Sequence, residues 1–367
     1  MTRVSAGARL HFGFGNLSLS HERLYGALGV ALAEPSVVVE AEPAEGVSVE
    51  VASAGDGASN AVNGASNAAN GAGNAANGAG NAANNAETAA SGAETVASDV
   101  REFATRACDL LGVDGATVTV EESLPRHAGL GSGTQLALAT LAAVARTHDR
   151  APGVRERAPA LGRGGRSGIG VAAFERGGFV LDAGHPTARF TTARPELGSW
   201  EVPAVAARHP IPADWRFLLV LPDADPGRSG AGEDATMRAV VDRADPELAN
   251  RIAGIVTRRV LPAIAEGRPE AFGEAVAKVS RLNGTWYTDE QGGVFRPPVG
   301  DVVAALNDSP AVFGAGQSSW GPAVYGVTDA DHAAAARAAG EDALDAADVD
   351  GDVRIVRGRN RCARIEE

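Results

Sequence analysis

Lysine is almost absent from this 367-residue chain, in which Lys278 is the single example and arginine supplies the other basic side chains. The formal net charge is −13 at pH 7. A broad nucleic-acid surface needs clustered basic charge, so we expect no nucleic-acid partner. An acidic, alanine-rich chain that is poor in lysine is typical of a salt-adapted (halophilic) organism or of a GC-rich genome.

Cysteine and long apolar runs are also scarce. Cys108 and Cys362 lie far apart and neither belongs to a CxxC pair, so we expect no disulfide framework and no zinc site. No segment approaches the roughly 20 apolar residues of a membrane span. The N-terminal segment lacks the charged and then apolar layout of a signal peptide. The sequence therefore predicts a cytoplasmic protein with no membrane partner.

The pattern of apolar residues predicts a mixture of strands and helices without strict alternation, which favours an α+β fold. Short strands are expected within residues 1–51, with a hairpin around Glu45 and Gly46. Residues 53–98 consist mainly of Ala, Asn, Gly and Ser and contain "NAANGAG" twice in succession. Such side chains bury almost nothing, so this segment is predicted to be a disordered insertion, with structure resuming near Ser98.

A glycine-rich loop precedes an apolar helix in "RHAGLGSGTQLALATLAAVAR", residues 126–146. Gly129, Gly131 and Gly133 allow a close backbone approach, and the helix is predicted to begin between Ser132 and Thr134. Free N–H groups at a helix N-terminus attract anions, and phosphate is the usual ligand. An ordinary glycine-rich helix cap would have the same pattern. The loop is neither a Walker motif nor a dinucleotide fingerprint.

A second loop, "FGAGQSSWGP" at residues 313–322, again combines glycines with paired hydroxyls. Two such loops far apart in sequence are the layout of the galactokinase, homoserine kinase, mevalonate kinase and phosphomevalonate kinase (GHMP) superfamily. In that superfamily the first loop wraps phosphates and the second lies beside it.

The chain resembles one branch of this superfamily, the β-ribofuranosylaminobenzene 5′-phosphate synthase family. The resemblance rests on "RLHFGF", "GLGSGTQLALA", "RSGIGVAAFERGGFVLDAGH", "DWRFLLVLP", "RLNGTWY", "QGGVF" and "GQSSWGPAVYG". It implies a GHMP kinase-like fold of two lobes with the site between them. Residues 1–190 would form a ribosomal S5 domain 2-like lobe and residues 191–367 a ferredoxin-like lobe. The resemblance also implies a homodimer.

The resemblance further implies a reaction that requires no ATP. The family joins phosphoribosyl pyrophosphate to an aromatic acid, 4-aminobenzoate or 4-hydroxybenzoate, and releases carbon dioxide and pyrophosphate in a methanopterin-type pathway. Carbon dioxide leaves in place of a ring proton, so no general base is needed. The departing pyrophosphate needs preorganised donors, arginine or Mg²⁺.

Candidate site residues follow from these needs. Arg9, His11 and Arg23 lie in the segment that shapes the acceptor site in the superfamily, although His11 on an apolar strand equally fits a core histidine. Trp320 in the second loop fits either ring stacking or packing. The predicted catalytic group is His11, Asn16, Arg23 and Asp182.

Phosphate and metal ligands form two further groups. "GRGGRSGIG" at residues 162–170 offers arginine beside a helix start, although it equally fits a surface loop. The predicted phosphate-binding group is Gly129, Leu130, Gly131, Ser132, Gly133, Thr134, Gln135, Arg166, Ser167, Gly168, Gly314, Gly316, Gln317, Ser318 and Ser319. Asp223 and Glu233 are candidate Mg²⁺ ligands, and each equally fits a helix cap or a solvated acid.

Asn16 departs from the family pattern, which has Asp at this position. An amide cannot serve as a carboxylate ligand or base, so altered activity is one interpretation. An ATP-dependent kinase of the same superfamily and a non-catalytic ligand sensor are the alternatives. Kinases usually read GLGSS, whereas Gly133 replaces the second serine here, and this favours the synthase branch.

Overall fold

A computed structural model describes residues 1–52, 77–188, 196–225, 227 and 230–367, with the backbone alone for 77–91 and 230–231. The strands are β1 (Thr2–Asn16), β2 (Arg23–Pro43), β3 (Ser48–Val51), β4 (Ala116–Glu122), β5 (Phe179–Asp182), β6 (His185–Pro186), β7 (Val205–His209), β8 (Trp215–Pro222), β9 (Gly314–Gln317), β10 (Val324–Asp329), β11 (Gly351–Val356) and β12 (Arg364–Glu366). The helices are α1 (Asn77–Leu111), α2 (Ser132–Thr147), α3 (Val154–Arg157), α4 (Ile169–Arg176), α5 (Gly230–Arg243), α6 (Pro246–Ile255), α7 (Leu261–Glu266), α8 (Pro269–Trp286), α9 (Thr288–Gln291), α10 (Val299–Asp308) and α11 (Ala333–Ala346).

Within the described residues, eight strands form the first sheet, whose main path runs β12, β1, β2, β4 and β3. Helix α2 packs on β1 and β2, and α1 packs on α2. Every residue of α2 from Gln135 to Ala145 is buried, because the helix lies between the sheet and α1. Burial of a leucine or valine side chain contributes about 1.5–3 kcal/mol. The helix therefore has a firmly anchored N-terminus.

The second sheet has the strand order β11, β8, β10 and β9, and all three of its pairings are antiparallel. Numbered by position in the lobe, this order is 4-1-3-2, the ferredoxin-like arrangement that the resemblance implies. Helix α8 packs on β9 and β10 and also on β1 of the first sheet. It thereby connects the two lobes directly beneath the site.

The structure corrects three expectations. The predicted hairpin around Glu45 and Gly46 is wrong, because β4 lies between β2 and β3 and pairs with both. Residues 53–76 of the predicted insertion lie outside the described residues. Structure resumes at Asn77 and not at Ser98, since α1 begins there. Alanine has the highest helix propensity, and Val96 of this helix is buried against the first-sheet core.

The boundary between the sheets also differs from the predicted residue 190. Strand β7 at Val205–His209 pairs with β5 in the first sheet, and β12 returns to pair with β1. The two sheets therefore divide between His209 and Trp215, and the end of the chain belongs to the first sheet. No helix in the described part of the chain is both long and apolar enough to cross a bilayer.

Candidate active site

The first glycine loop presents the N-terminus of α2 to an open cleft of about 610 Å³. Gly129 and Gly131 have φ values of 91° and 81°, which favour glycine. Gly131 is the N-cap residue, and no side chain caps the helix there. Ser132, Gly133 and Thr134 of the first turn line the cleft. The helix thus begins at Ser132, within the predicted range, and its first turn faces the cleft without a side-chain cap.

The second loop touches the first. The Ser318 hydroxyl donates to the Gly129 carbonyl at 2.8 Å and accepts from the His11 amide at 3.1 Å. The Ala323 amide donates to the Ala128 carbonyl at 3.0 Å. The structure therefore brings the two predicted loops together around β1.

Only part of the predicted second-loop group reaches the cleft. Ser319 lines it. Gly314 and Gly316 lie in β9 and face α8. A Cβ added at Gly314 would lie 2.2 Å from the Gly273 oxygen, and one added at Gly316 would lie 2.5 Å from the Ser280 hydroxyl. These two glycines allow the strand to pack closely on the helix, so phosphate binding is the wrong role for them. Gln135 is similarly buried and donates to the Gly170 carbonyl at 2.9 Å.

Arginine supplies the basic side chains of the cleft lining among the described residues. Arg126 pairs with Asp99, and Arg106 pairs with Glu102 at 2.6 Å. Arg9 lies beneath the first loop and donates to the Gly129 carbonyl at 2.5 Å. Burial lowers the pKa of Arg9 to about 10, so it stays cationic at neutral pH. The cleft-lining arginines are Arg9, Arg106, Arg126, Arg163 and Arg166.

Arg166 faces two carboxylates across the cleft. It pairs with Glu233 at 2.7 Å and also with Asp234. Tyr25 and Tyr287 lie close enough for the Arg166 charge to lower their pKa values, although burial raises both more strongly. The sequence analysis missed the two tyrosines. Tyr287 ends the "RLNGTWY" motif, which was the available signal.

Asp182 occupies the start of α4. Its carboxylate accepts from the Ala27, Gly168 and Gly184 amides at 3.1, 2.8 and 2.9 Å, and from the Ser167 hydroxyl at 3.5 Å. Burial raises the pKa of Asp182 to about 6, against the opposing effect of these donors. The predicted phosphate donors at 167 and 168 are therefore bonded to this carboxylate, which organises the loop.

His11 lies at the wall between the cleft and a second cavity. Its side chain is 4% exposed and its ring packs edge-on against Phe14 with centroids 4.9 Å apart. Burial, and secondarily the charge of Arg9, lower the pKa of His11 to about 3. His11 thus contributes a neutral imidazole to this wall, and its Nδ1 atom is buried without a hydrogen-bond partner among the described residues.

The second cavity is a slot of about 40 Å³ that adjoins the cleft and shares His11, Phe14, Ser319 and Trp320 with it. Trp320 packs edge-on against Tyr287, with ring centroids 4.4 Å apart. The slot floor is fixed by Asn283, which donates to the Phe14 carbonyl and accepts from its amide. The arrangement is an arginine-lined cleft beside a small aromatic slot.

The two candidate metal ligands, Asp223 and Glu233, do not line the same cavity. Glu233 lines the cleft, whereas Asp223 at the end of β8 is exposed, is absent from that lining and donates its amide to the Asp350 carbonyl at 2.7 Å. Among the described residues no group of three or more His, Cys, Asp or Glu side chains is placed to hold a metal ion.

Comparison with known proteins decides the family. The chain is 33% identical to a β-ribofuranosylphenol 5′-phosphate synthase of Methanothermobacter thermautotrophicus over 328 residues, covering 89% of this chain and 88% of the relative. The chain belongs to the β-ribofuranosylphenol 5′-phosphate synthase family. A synthase of the same name from Methanocaldococcus jannaschii is 27% identical and covers 89% of each chain.

The synthase family lies within the GHMP superfamily by fold. The models for the GHMP kinases N terminal domain and the GHMP kinases C terminal match residues 96–178 and 260–346. Mevalonate pyrophosphate decarboxylase from Streptococcus pyogenes has a TM-score of 0.61 at 10% identity, covering 98% of this chain and 97% of the other. Methanococcus jannaschii mevalonate kinase has a TM-score of 0.59 at 14% identity, covering 98% of both. These likenesses establish the fold alone.

Asn16 and Arg23 hold the β1–β2 connection of this synthase-family chain. The Asn16 amide donates to the Ser18 and Arg23 carbonyls at 2.8 and 2.7 Å, and its oxygen accepts from the Ser18 amide. Arg23 donates to the Ala183 and Gly184 carbonyls, next to Asp182. Neither side chain lines the cleft or the slot. Asn16 therefore holds the turn between β1 and β2, and Arg23 connects that turn to the backbone next to Asp182.

Restoring aspartate at position 16 is expected to destabilise the protein. Asn16→Asp would place a carboxylate oxygen against two carbonyl oxygens in a buried site, which costs about 1–3 kcal/mol. The midpoint of chemical denaturation at pH 7 should fall, and the loss should shrink as the pH approaches the pKa of the new carboxyl group. An unchanged midpoint at pH 7 would show that these two hydrogen bonds do not hold the turn.

Proposed function

We propose that the protein is a decarboxylating synthase that joins phosphoribosyl pyrophosphate to 4-hydroxybenzoate or 4-aminobenzoate. One observation carries the proposal. An arginine-lined cleft lies at the N-terminus of α2, where no side chain caps the helix, and it adjoins an uncharged aromatic slot. The cleft suits the polyanionic donor, and the slot suits an aromatic ring. The relatives are named for a phenol product, and this favours 4-hydroxybenzoate as the acceptor.

The reaction breaks two single bonds and forms one carbon–carbon bond. The bond between ribose C1 and the pyrophosphate oxygen breaks, and its electron pair leaves with pyrophosphate. The ring carbon that bears the carboxylate bonds to C1. The bond from this carbon to carbon dioxide then breaks, and its electrons restore the aromatic ring. No proton is removed from the ring, so a catalytic dyad is not required.

The chain's own groups serve the first of these steps. Negative charge grows on pyrophosphate as it leaves, and preorganised donors stabilise such charge. Ser132 and Gly133 of the first helical turn line the cleft together with Arg9 and His11. The slot then presents the ring carbon across the wall at His11. Arg166, which pairs with Glu233 and Asp234, also lines the cleft and is an additional anion contact.

Mg²⁺ is part of the proposal. It usually binds through one or two protein carboxylates together with substrate phosphates, so a complete protein cage is not needed. Glu233 is the predicted ligand that lines the cleft, and Asp234 beside it shares Arg166. Bound there, the ion would neutralise pyrophosphate charge. We further propose a cytoplasmic homodimer, as the family resemblance suggests.

The competing functions differ in their products. An ATP-dependent kinase is not favoured, because the curated relatives that match nearly the whole chain are named synthases. A ligand sensor on the same scaffold is the second candidate, motivated by Asn16. A sensor would bind the donor without turnover.

A turnover assay tests the proposal. The protein would be incubated in high salt with Mg²⁺, phosphoribosyl pyrophosphate and carboxyl-labelled 4-hydroxybenzoate or 4-aminobenzoate. We expect carbon dioxide and pyrophosphate to appear in equal amounts with at least one acceptor. Omission of the acceptor and replacement of the donor by ATP are the controls. Folded protein that binds the donor but releases neither product would overturn the synthase proposal in favour of a sensor.

A further inference from the structure

The slot next to the cleft has an uncharged lining. None of its described lining residues is Asp, Glu, Lys or Arg. Burial lowers the pKa of His11 to about 3 and raises the pKa of Tyr287, so both side chains are neutral at pH 7. An aromatic acid nevertheless brings one carboxylate. A buried carboxylate without a partner is strongly unfavourable, so this group cannot occupy the inner end of the slot.

We propose that the aromatic acceptor enters the slot with its neutral para substituent inward, and that its carboxylate stays at the wall shared with the cleft. At that wall the carboxylate lies beside His11, where the positive charge of Arg9 on the cleft side also acts. This orientation rests on the proposed function, because it turns the carboxylate-bearing carbon towards the donor. It makes the inner end of the slot the region that selects the para substituent.

Gln291 is the selecting residue in this arrangement. It lines the slot and not the cleft, so it is not part of the shared wall, and it is half-buried. Its amide nitrogen donates to the Val294 carbonyl at 2.8 Å, which fixes the side chain. The structure gives its amide oxygen no partner among the described residues. A para hydroxyl or amino group donates a hydrogen bond to such an oxygen, whereas a para carboxylate would be repelled by it.

Binding of the ring requires a side chain to move. The slot of about 40 Å³ is smaller than the roughly 150 Å³ cavity that accommodates benzene. Trp320 is partly exposed and packs on Tyr287, so its indole is the wall that can shift. Ligand binding should therefore change the fluorescence of Trp320, and this readout requires no turnover.

The first test compares ligands on the full-length protein. Tryptophan fluorescence would be titrated with 4-hydroxybenzoate, with phenol, and with benzene-1,4-dicarboxylate, and Trp320→Phe would assign the signal. We expect phenol to bind, and the dicarboxylate to bind at least ten times more weakly than 4-hydroxybenzoate. Equal affinity for the dicarboxylate and 4-hydroxybenzoate would overturn the inference.

The second test places a positive charge at the inner end. Gln291→Lys should increase dicarboxylate affinity at least tenfold, because the ammonium pairs with the inward carboxylate. Thr285→Lys adds the same charge on the exposed side of α8 and should have no such effect. Folded Gln291→Lys protein that gains no affinity would also overturn the inference.

The outcomes separate the orientation from the proposed function. Ligand selectivity as expected, with no turnover of 4-hydroxybenzoate and phosphoribosyl pyrophosphate, would overturn the function and support the neutral inner end. Turnover together with equal dicarboxylate binding would support the function and overturn the orientation.

Discussion

Gly321→Ala is expected to lower the activity about 100-fold by separating the two glycine loops. A Cβ at residue 321 would lie 1.9 Å from the carbonyl carbon of Ala128 and 2.0 Å from its oxygen. Both are backbone atoms, so one loop must move by roughly an ångström to relieve the overlap. A displacement of about 1 Å at a reacting centre costs about 100-fold in rate, and forced overpacking costs about 1–3 kcal/mol of stability.

The measurement is the rate of pyrophosphate release together with the free energy of unfolding. Gly92→Ala is the matched control, because a methyl group added at this exposed position in α1 would have no other atom within 4 Å. Alanine there should keep full activity and stabilise the helix slightly. Gly321→Ala protein with wild-type turnover would show that the contact between the loops is not needed for the reaction.

The second large effect is a dependence of stability on pH that originates at Asp182. Burial raises the pKa of this carboxyl in the folded protein to about 6, above the value of about 3.9 for an unfolded chain. Between these values the folded protein holds a proton that the unfolded chain has released. The contribution of this proton to stability is therefore complete below about pH 4 and is lost as the pH rises through 6. Two pKa units correspond to about 3 kcal/mol.

The measurement compares the free energy of unfolding of the wild type with that of Asp182→Asn, because asparagine does not titrate. From pH 4 to pH 7, the free energy of unfolding of the wild type should fall by about 2 kcal/mol relative to that of this variant. Titration of all other groups cancels in the difference. A difference that is constant across this range would mean that the carboxylate is ionised throughout, with its backbone donors outweighing burial.

The sequence predicts the conformation of the first glycine loop well because its signal is local. Alternating glycines followed by an apolar helix are enough to specify the turn and a helix that begins after Gly131 without a side-chain cap. Which strands pair with each other is harder to predict from the sequence. Strand β4 comes from beyond residue 100 to lie between β2 and β3, and no local pattern around Glu45 encodes that insertion.

The roles of the polar site residues were harder to predict for the same reason. Asp182 follows a strand, which fits a metal ligand, a catalytic acid or a cap equally well. Its role as a cap depends on amides from Ala27 and Gly168, which the fold brings from two other segments. The uncharged slot likewise forms from β1, α8 and the second loop, so its chemistry is a property of their packing.

The paired hydrogen bonds between Asn283 and Phe14 have a consequence for motion. With distances of 2.6 and 2.8 Å, the side chain completes the backbone pairing of β1 as a neighbouring strand would, yet it comes from the other lobe. These two hydrogen bonds thus hold the two lobes together at the floor of the site, and a rocking motion of one lobe against the other would break both of them. We therefore expect the slot to open by a movement of Trp320 at its rim, with the two lobes held in place relative to each other.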